Sequence, residues 1–258
     1  MDLGIAGKTA LVTASSMGMG RNIAQTLAAE GANVVLFARS VDKLRAVAEE
    51  LETMHKVRAV PVAGDLRSVE DIARLSDTMA RTLGAPDILV LNTGRAPNPL
   101  RATLDESETP RWQQAYENQL LSVIQIANRV VPTMRGKGWG RIVAITSASV
   151  KEPMPHHSLS TVFRAGVTAY MKHLANELGA EGITVNCVAP ALIDTSHRVG
   201  SAAYTPAQTE ARKQLTPLHR MGLQEEVCAA VAFLASRQAG FITGTSLCVD
   251  GGMVGSLL

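Results

Sequence analysis

The sequence Thr13-Ala-Ser-Ser-Met-Gly18-Met-Gly20 joins a short apolar run, Thr9–Thr13, to an amphipathic segment whose apolar face is formed by Ile23, Ala24, Leu27 and Ala28. Glycines let a backbone turn tightly and approach a pyrophosphate, which free N–H groups and the positive end of a helix dipole stabilise. The pattern therefore predicts a dinucleotide-binding turn between a strand and a helix. The alternative is a strand-to-helix turn in which glycine serves packing alone.

Beyond this turn, short β-branched runs alternate with longer segments of helical period. This alternation is typical of repeated βαβ units that build a parallel sheet. No linker or internal repeat divides the chain, so we predict one α/β domain spanning residues 1–258. The predicted strands are Thr9–Thr13, Asn33–Ala38, Arg58–Val62, Ile88–Asn92, Arg141–Thr146, Thr184–Ala189 and Ser246–Val249.

Helix boundaries are marked by turn and capping residues. Gly31 is predicted to end the first helix and Ser40 to begin the second, and Ser68 with Asp71 resembles a capping box. The apolar face and the end of the third helix are predicted at Ile72, Leu75, Met79, Leu83 and Gly84.

A longer helix is predicted to begin with Thr109 as its cap and Pro110 at its first position. Its inward face would comprise Trp112, Tyr116, Leu120, Val123, Ala127 and Val131. Residues 194–217 depart from the regular alternation because they are polar, rich in small residues and weakly patterned. This segment is a candidate lid over a pocket.

Composition excludes several classes of function. The formal charge is +2 with dispersed lysines and arginines, so we expect neither a nucleic-acid partner nor binding to an anionic membrane. The three cysteines, Cys187, Cys228 and Cys248, form no CxxC, which argues against a disulfide framework or a zinc site and favours reduced, mostly buried thiols. The sequence has neither a signal-like amino terminus nor a long apolar run, so we expect a cytoplasmic protein. We expect no bound metal.

The end of the second predicted strand bears on the choice of dinucleotide. It reads Leu36-Phe37-Ala38-Arg39-Ser40, without the carboxylate that would accept hydrogen bonds from an adenosine ribose. Arg39 suits a 2′-phosphate instead, which favours NADP(H) over NAD(H), although a solvated arginine at a helix start is the alternative. Asp65 is a candidate acceptor for the adenine amine, or else a turn or helix-cap residue.

Several further motifs occur in a fixed order along the chain. They are Asn92-Thr-Gly94, Asn118 in the long helix, Gly140-Arg-Ile-Val-Ala-Ile-Thr-Ser147, Gly182-Ile-Thr-Val-Asn-Cys-Val-Ala-Pro190, Ile193-Asp-Thr195 and Ile242-Thr-Gly-Thr-Ser-Leu-Cys-Val-Asp-Gly-Gly252. With the glycine turn, they make the chain resemble the short-chain dehydrogenase/reductases over essentially its whole length, particularly the branch similar to β-ketoacyl carrier-protein reductases. The resemblance implies a Rossmann-type, doubly wound sheet of seven parallel strands.

The resemblance also implies roles for individual residues. Ser147 would hydrogen-bond the substrate oxygen and Asn118 would hold a water for proton relay; the alternatives are a polar strand-end serine and an asparagine bonded locally within its helix. The cofactor-binding residues predicted from the glycine turn, the strand ends and the resemblance are Thr13, Ser15, Ser16, Gly18, Met19, Gly20, Arg39, Asp65, Leu66, Asn92, Thr93, Gly94, Arg164, Pro190, Ile193 and Thr195.

One segment departs from the family pattern where the chemistry is expected. The resemblance implies a tyrosine at position 160 and a lysine at position 164, where the chain has Ser160 and Arg164. The i, i+4 spacing still places both on one helix face. An aliphatic hydroxyl is a much weaker acid than a phenol, whereas an arginine still supplies donors and positive charge. His157 is a possible substitute acid, although exposed loop histidines are common.

Two smaller departures lie near the expected cofactor. Ala14 and Ala191 occupy positions where the family pattern has glycine. We predict an oxidoreductase that transfers hydride between NADP(H) and a small carbonyl or alcohol, with proton delivery through water held by Ser160 and Arg164 or through His157. The alternatives are a non-catalytic dinucleotide-binding sensor or partner subunit, and a structural partner with a vestigial pocket. The resemblance implies a homotetramer or dimer.

Overall fold

Seven parallel strands form one sheet in the order β3-β2-β1-β4-β5-β6-β7. The computed structural model describes residues 2–194 and 205–256. The strands are β1 Thr9–Thr13, β2 Asn33–Ala38, β3 Ala59–Ala63, β4 Ile88–Leu91, β5 Gly140–Ile145, β6 Ile183–Pro190 and β7 Ser246–Val249. This topology confirms the predicted doubly wound, Rossmann-type α/β fold.

Strand ends differ from the sequence prediction by one residue in β3, β4, β5 and β6. In β4 the reason is visible at Asn92, which was predicted to end the strand. Its N–H and carbonyl are both bonded to the Thr13 hydroxyl, at 2.9 and 2.6 Å, rather than to a neighbouring backbone. Periodicity cannot reveal such a side-chain contact, so the prediction for this end was wrong.

The described residues form eight α-helices, six of which cover the two faces of the sheet. They are α1 Gly18–Ala29, α2 Val41–His55, α3 Val69–Thr82, α4 Thr109–Tyr116, α5 Ser122–Met134, α6 Ser158–Leu178, α7 Pro206–Lys213 and α8 Gln224–Leu234. One core cluster packs α1, α2 and α8 on the sheet, and the other packs α3, α5 and α6 on the opposite face. Because both faces are covered, the inner strands β1, β4, β5 and β6 are buried almost throughout rather than on alternate residues.

The predicted caps are partly confirmed. Ser40 is the N-cap of α2, and the Ser68 hydroxyl accepts from the N–H of Asp71 at 3.1 Å at the start of α3. The Asp71 carboxylate, however, accepts from the N–H of Asp65 at 2.7 Å. The predicted capping box is therefore only half formed, because the acidic side chain fastens the loop after β3 instead.

The long helix differs from its prediction in two respects. Glu108 is the N-cap of α4, so the prediction that Thr109 caps the helix was wrong by one residue. A π-helical turn, Glu117–Leu121, separates α4 from α5. Val123, Ala127 and Val131 are buried as predicted, whereas Trp112, Tyr116 and Leu120 are only half-buried. The rings of Trp112 and Tyr116 pack against Phe163 of α6 rather than against the sheet, and their centroids lie 6.0 and 5.9 Å, respectively, from that of Phe163.

The predicted lid contains an unforeseen helix. α7 begins with a capping box in which Thr205 and Gln208 exchange hydrogen bonds, and none of its residues is buried. The segment begins where Ile193 forms a parallel bridge with Gly222. Residues 195–204 of the predicted lid, including the predicted cofactor residue Thr195, lie outside the described part of the chain.

The three cysteines are free thiols, and burial raises the pKa of Cys187 and of Cys228 to about 12. Within residues 2–194 and 205–256, no helix is both long and apolar enough to cross a membrane. The same residues contain no cluster of three or more His, Cys, Asp or Glu side chains suited to a metal ion.

Candidate active site

The candidate site lies where the strand order reverses, between β1 and β4. Successive strands progress to one side from β1 through β3 and to the other side from β4 onward, which opens a crevice at the carboxyl ends of β1 and β4. Thr13 at the end of β1 is fully buried and bonds to Asn92 just after β4. The Thr13 side chain therefore fixes the two edges of the crevice to each other.

The glycine turn between β1 and α1 is closely packed. Ala14 has φ +48°, in the left-handed region, so the glycine that the family pattern has there matches the observed conformation. A Cβ on Gly20 would lie 2.3 Å from the carbonyl oxygen of Ala14 and 2.7 Å from Nδ2 of Asn92. Ser15 is fully buried, and its hydroxyl accepts from the N–H of Phe37 at 3.0 Å. Only glycine fits at position 20.

The amino terminus of α1 is open at this turn. Its N-cap, Met17, makes no side-chain cap hydrogen bond, and Gly18 begins the helix with φ +55°. The first N–H groups of a helix have no partner within the helix. Ser16 and Met19, which are half-buried, flank these donors. Backbone donors and helix dipole together suit the pyrophosphate of a dinucleotide.

An arginine that the sequence analysis missed holds the predicted adenine acceptor. Arg67 contacts Asp65 through Nη2–Oδ2 at 2.7 Å and Nε–Oδ1 at 3.1 Å, and its N–H also donates to the carboxylate. These bonds hold the pKa of Asp65 below its usual value, although burial opposes the shift. Arg39 is exposed after β2 and adds to this effect through its charge, and Leu66 is half-buried between Asp65 and Arg67. The spacing of Asp65 and Arg67, two residues apart, is the sequence feature from which this contact could have been predicted.

Asn118 and Gly94 lie together on the β4 side of the crevice. A Cβ on Gly94 would lie 3.6 Å from the Asn118 Cβ, so the asparagine side chain covers this glycine. Asn118 belongs to the π-helical turn, and its carbonyl accepts the Ser122 hydroxyl at 3.0 Å. π-turns occur frequently at functional sites because they disturb the regular backbone bonding of a helix. Thr93 is half-buried next to Gly94.

Ser147 directly follows β5 and is oriented by a second serine. The Ser147 hydroxyl oxygen accepts from the N–H of Ser149 at 3.2 Å and lies 3.0 Å from the Ser149 hydroxyl. Ser149 is fully buried, whereas Ser147 keeps some exposure. With its oxygen accepting from Ser149, Ser147 can donate its own proton to a substrate oxygen. The short Ser-x-Ser spacing did not distinguish the supporting residue from an ordinary loop serine.

Arg164 ties α6 to the ends of two strands. Its Nη1 donates to the carbonyl of Ile145 at 2.5 Å, and its Nη2 donates to the carbonyl of Gly94 at 3.3 Å. Protein surrounds the guanidinium closely enough for burial to lower its pKa to about 10, while part of the side chain is open to solvent. Arg164 therefore lies against Ile145 at the end of β5 and Gly94 after β4, and it is a cation at neutral pH.

Ser160 lies one helical turn before Arg164 and is half-buried, with no hydrogen-bond partner among the described residues. His157, the N-cap of α6, has its Nδ1 2.8 Å from the carbonyl of Pro155. A backbone carbonyl only accepts, so Nδ1 carries a proton and Nε2 is the free nitrogen. The structure shows no hydrogen bond from His157 to Ser147, Ser160 or Arg164.

The remaining predicted residues lie on the β6 side. Pro190 ends β6 opposite Val249 of β7, and Ile193 follows at its bridge with Gly222. Ala191, the second residue that replaces a glycine of the family pattern, does not have a positive φ; the strained residue is Leu192, with φ +50°. The predicted cofactor residues before position 195 thus line the ends of β1 through β6.

Comparisons with known proteins agree with this arrangement. The sequence profile of the family described as "Enoyl-(Acyl carrier protein) reductase" matches residues 13–254. The chain belongs to the short-chain dehydrogenase/reductase family. It is 36% identical over 247 residues to the 3-oxoacyl-[acyl-carrier-protein] reductase of Escherichia coli K12, covering 96% of this chain and 97% of that protein. It is 33% identical to Nodulation protein G of Rhizobium sp. N33, covering 96% and 98%.

Solved structures of this short-chain dehydrogenase/reductase family show the same fold. The L-sorbose reductase from Gluconobacter frateurii, in complex with NADPH and L-sorbose, superposes with a TM-score of 0.90 at 32% identity over the full length of both chains. A putative gluconate dehydrogenase from Agrobacterium tumefaciens gives 0.90 at 27% identity. The protein is therefore an oxidoreductase of the family, and the different substrates of its relatives leave its own substrate to be argued from the site.

Proposed function

We propose that this protein transfers hydride between NADP(H) and a small carbonyl or alcohol at the carboxyl ends of β1, β4 and β5. The observation that supports this most is that an oriented hydroxyl, Ser147, and a cation, Arg164, both lie at the carboxyl end of β5, in a sheet whose helix α1 has no side-chain cap at its amino terminus. The dinucleotide would lie across the switch point, with its pyrophosphate on α1 and its nicotinamide end near Gly94, Arg164 and Ile193.

The preference for NADP(H) is part of the proposal. Arg39 is exposed just after β2, and the sequence at the end of this strand, Ala38-Arg39-Ser40, contains no acidic residue to bind a ribose hydroxyl. A guanidinium is suited to a 2′-phosphate through charge and forked donors. The binding of NADPH by the L-sorbose reductase, a neighbour with the same fold, supports this choice.

We expect Arg39→Ala to weaken NADPH binding by roughly ten- to hundredfold and to leave NADH binding unchanged, because it removes a charge-assisted contact to a group that only NADPH carries. Calorimetric titration with both cofactors measures the effect. Arg45→Ala, which removes an exposed arginine from the first turns of the following helix α2, is the matched control. Equal losses for NADPH and NADH would contradict the assignment of Arg39.

Within this proposal, Ser147 binds the substrate oxygen and Asn118 holds a water that relays protons. Ser160 and Arg164 stand where the family pattern has its tyrosine and lysine. Arg164 would supply positive potential beside the nicotinamide ribose, while the proton would come from water held by Ser160 and Arg164, or from Nε2 of His157.

Ser147→Ala tests the catalytic proposal. We expect kcat/KM for NADPH-dependent reduction of a carbonyl panel to fall by about a hundredfold, because the substrate oxygen loses its oriented donor. Ser76→Ala is the control that should leave activity unchanged. Ser76 lies in α3, which follows β3 at the edge of the sheet, whereas β6 is five positions away in the strand order. Cofactor oxidation no faster in the wild type than in Ser147→Ala would overturn the proposal.

A non-catalytic dinucleotide-binding protein is the second candidate. It is favoured by the side chains at the site, since Ser147, Ser160 and Arg164 include no group that titrates near neutral pH. This candidate predicts NADPH binding without turnover of any carbonyl. Failure to bind any nicotinamide dinucleotide would exclude it.

We also propose a homotetramer or dimer. Large apolar side chains are exposed on α6 and around β7, at Val162 (51% exposed), Leu247 (38%) and Phe241, which is fully exposed. Apolar surface of this kind is typical of an interface between copies of a chain. Multi-angle light scattering is expected to give a multiple of the chain mass, and a concentration-independent monomer would contradict this.

A further inference from the structure

The charge of Arg164 has no acidic partner. Its hydrogen bonds go to the carbonyls of Ile145 and Gly94, and among residues 2–194 and 205–256 no carboxylate forms an ion pair with it. The sequence of residues 195–204, and that of residues 257 and 258, contains no aspartate or glutamate. The charge is therefore not neutralised by an acidic side chain of its own chain.

A charge surrounded by protein is costly unless it is paired. Arg111, by contrast, is a buried arginine that is paired: it contacts the Glu106 carboxylate through Nε–Oε2 at 2.7 Å and Nη2–Oε1 at 2.8 Å. Two carbonyl oxygens satisfy only part of the donor set of Arg164. The unused N–H groups and the net charge remain for a ligand that enters the open side of the site.

The neighbouring side chains are also suited to an anion. Ser147 accepts from Ser149 and has its own proton to donate, and Ser160 has a hydroxyl with no partner in the described structure. Serine is the smallest hydroxyl side chain, so position 160 leaves more room one helical turn before Arg164 than the tyrosine of the family pattern would. Among the described residues, no carboxylate is paired with Arg164 and would compete with an incoming anion.

We propose that the substrate carries a carboxylate, which binds the Arg164 guanidinium beside Ser160, so that the substrate class is small oxo or hydroxy acids. This deepens the proposed hydride transfer and rests on it. A planar guanidinium binds a planar carboxylate through two parallel hydrogen bonds, and one negative charge balances its one positive charge. A phosphate dianion would leave a charge uncompensated.

The carboxylate takes no part in the electron balance. When bound, NADPH would supply the hydride for the carbonyl carbon and leave as NADP⁺; the C=O π pair would move to oxygen, and that oxygen would take a proton from water. The role of Arg164 is to hold the acid end so that the carbonyl lies at Ser147. Binding energy at a group that does not react is a common way to orient a reacting centre.

The test compares 3-oxobutanoate with 3-oxobutanamide, which have nearly the same shape and differ in charge. Calorimetry measures the affinity of both for the protein alone and for the protein saturated with NADP⁺, where the ketone cannot be reduced. We expect 3-oxobutanoate to bind roughly ten- to hundredfold more tightly. Arg164→Met is expected to abolish the preference, Arg164→Lys to keep most of it, and Ser160→Ala to retain it because the charge is intact.

Equal affinities of the wild type for the two probes overturn the proposal, as does a preference that survives in Arg164→Met. The wild-type comparison does not depend on the folding of any variant, and thermal melts identify a variant that fails to fold. NADPH oxidation is followed in a parallel assay in which NADPH replaces NADP⁺. This second readout separates the inference from the proposed function. A charge preference without NADPH oxidation supports the acid site and refutes the reductase, whereas equally fast NADPH oxidation with both probes does the reverse.

Discussion

Gly20→Ala is expected to abolish dinucleotide binding and to lower the free energy of unfolding by about 1–3 kcal/mol. The added Cβ would lie 2.3 Å from the carbonyl oxygen of Ala14, 2.9 Å from its carbonyl carbon and 2.7 Å from Nδ2 of Asn92. The first two are backbone atoms, so no rotamer change relieves the overlap. The turn must open, which moves the first N–H groups of α1 away from the position of a pyrophosphate.

Calorimetric titration with NADPH and urea denaturation measure the two effects. Gly18→Ala is the matched control, because no atom lies within 4 Å of its Cβ although its φ of +55° disfavours a side chain. It is expected to cost about 1–2 kcal/mol in stability from the left-handed backbone, while leaving the packing of the turn unchanged. If Gly20→Ala binds NADPH within threefold of the wild type, the dinucleotide does not use this turn.

Much of the fold could be predicted from the sequence because both faces of the sheet are covered. Burial of this kind leaves continuous apolar strands separated by amphipathic helices, and these periodicities are visible in a single sequence. The strands β1, β2 and β7 have the predicted ends. Helix α7 was missed because none of its residues is buried, so it has no apolar face to reveal it.

The candidate site was predicted less completely, because supporting residues carry no signal of their own. Arg67 and Ser149 act through Asp65 and Ser147, respectively, and their contacts depend on loop conformations that no periodicity describes. The π-turn at Asn118 was missed because its residues have the composition of an ordinary helix. Likewise, the absence of a carboxylate partner for Arg164 emerges only when the surrounding strand ends are placed in space.

Ser160→Tyr combined with Arg164→Lys is expected to raise kcat/KM for a neutral ketone by about 10²–10⁴, the usual contribution of a positioned general acid. The two positions are one turn apart on α6, and the Arg164 side chain already reaches the carbonyls of Ile145 and Gly94. A phenol beside an ammonium has its pKa lowered from about 10 toward neutrality, so it can donate a proton as hydride arrives. Neither the serine hydroxyl nor the arginine can do so.

The single variants separate acid chemistry from positive charge. Arg164→Lys alone keeps the charge without adding an acid, so we expect no gain, whereas Ser160→Tyr alone should give part of it. Initial rates across the pH range provide a second readout, because a phenol that acts as the acid makes kcat/KM fall as pH rises through its pKa. The new ring would also cover the guanidinium site, so the double variant should lose any preference for 3-oxobutanoate over 3-oxobutanamide. A double variant that folds and binds NADPH but reduces ketones no faster than the wild type would show that positions 160 and 164 do not face the hydride path.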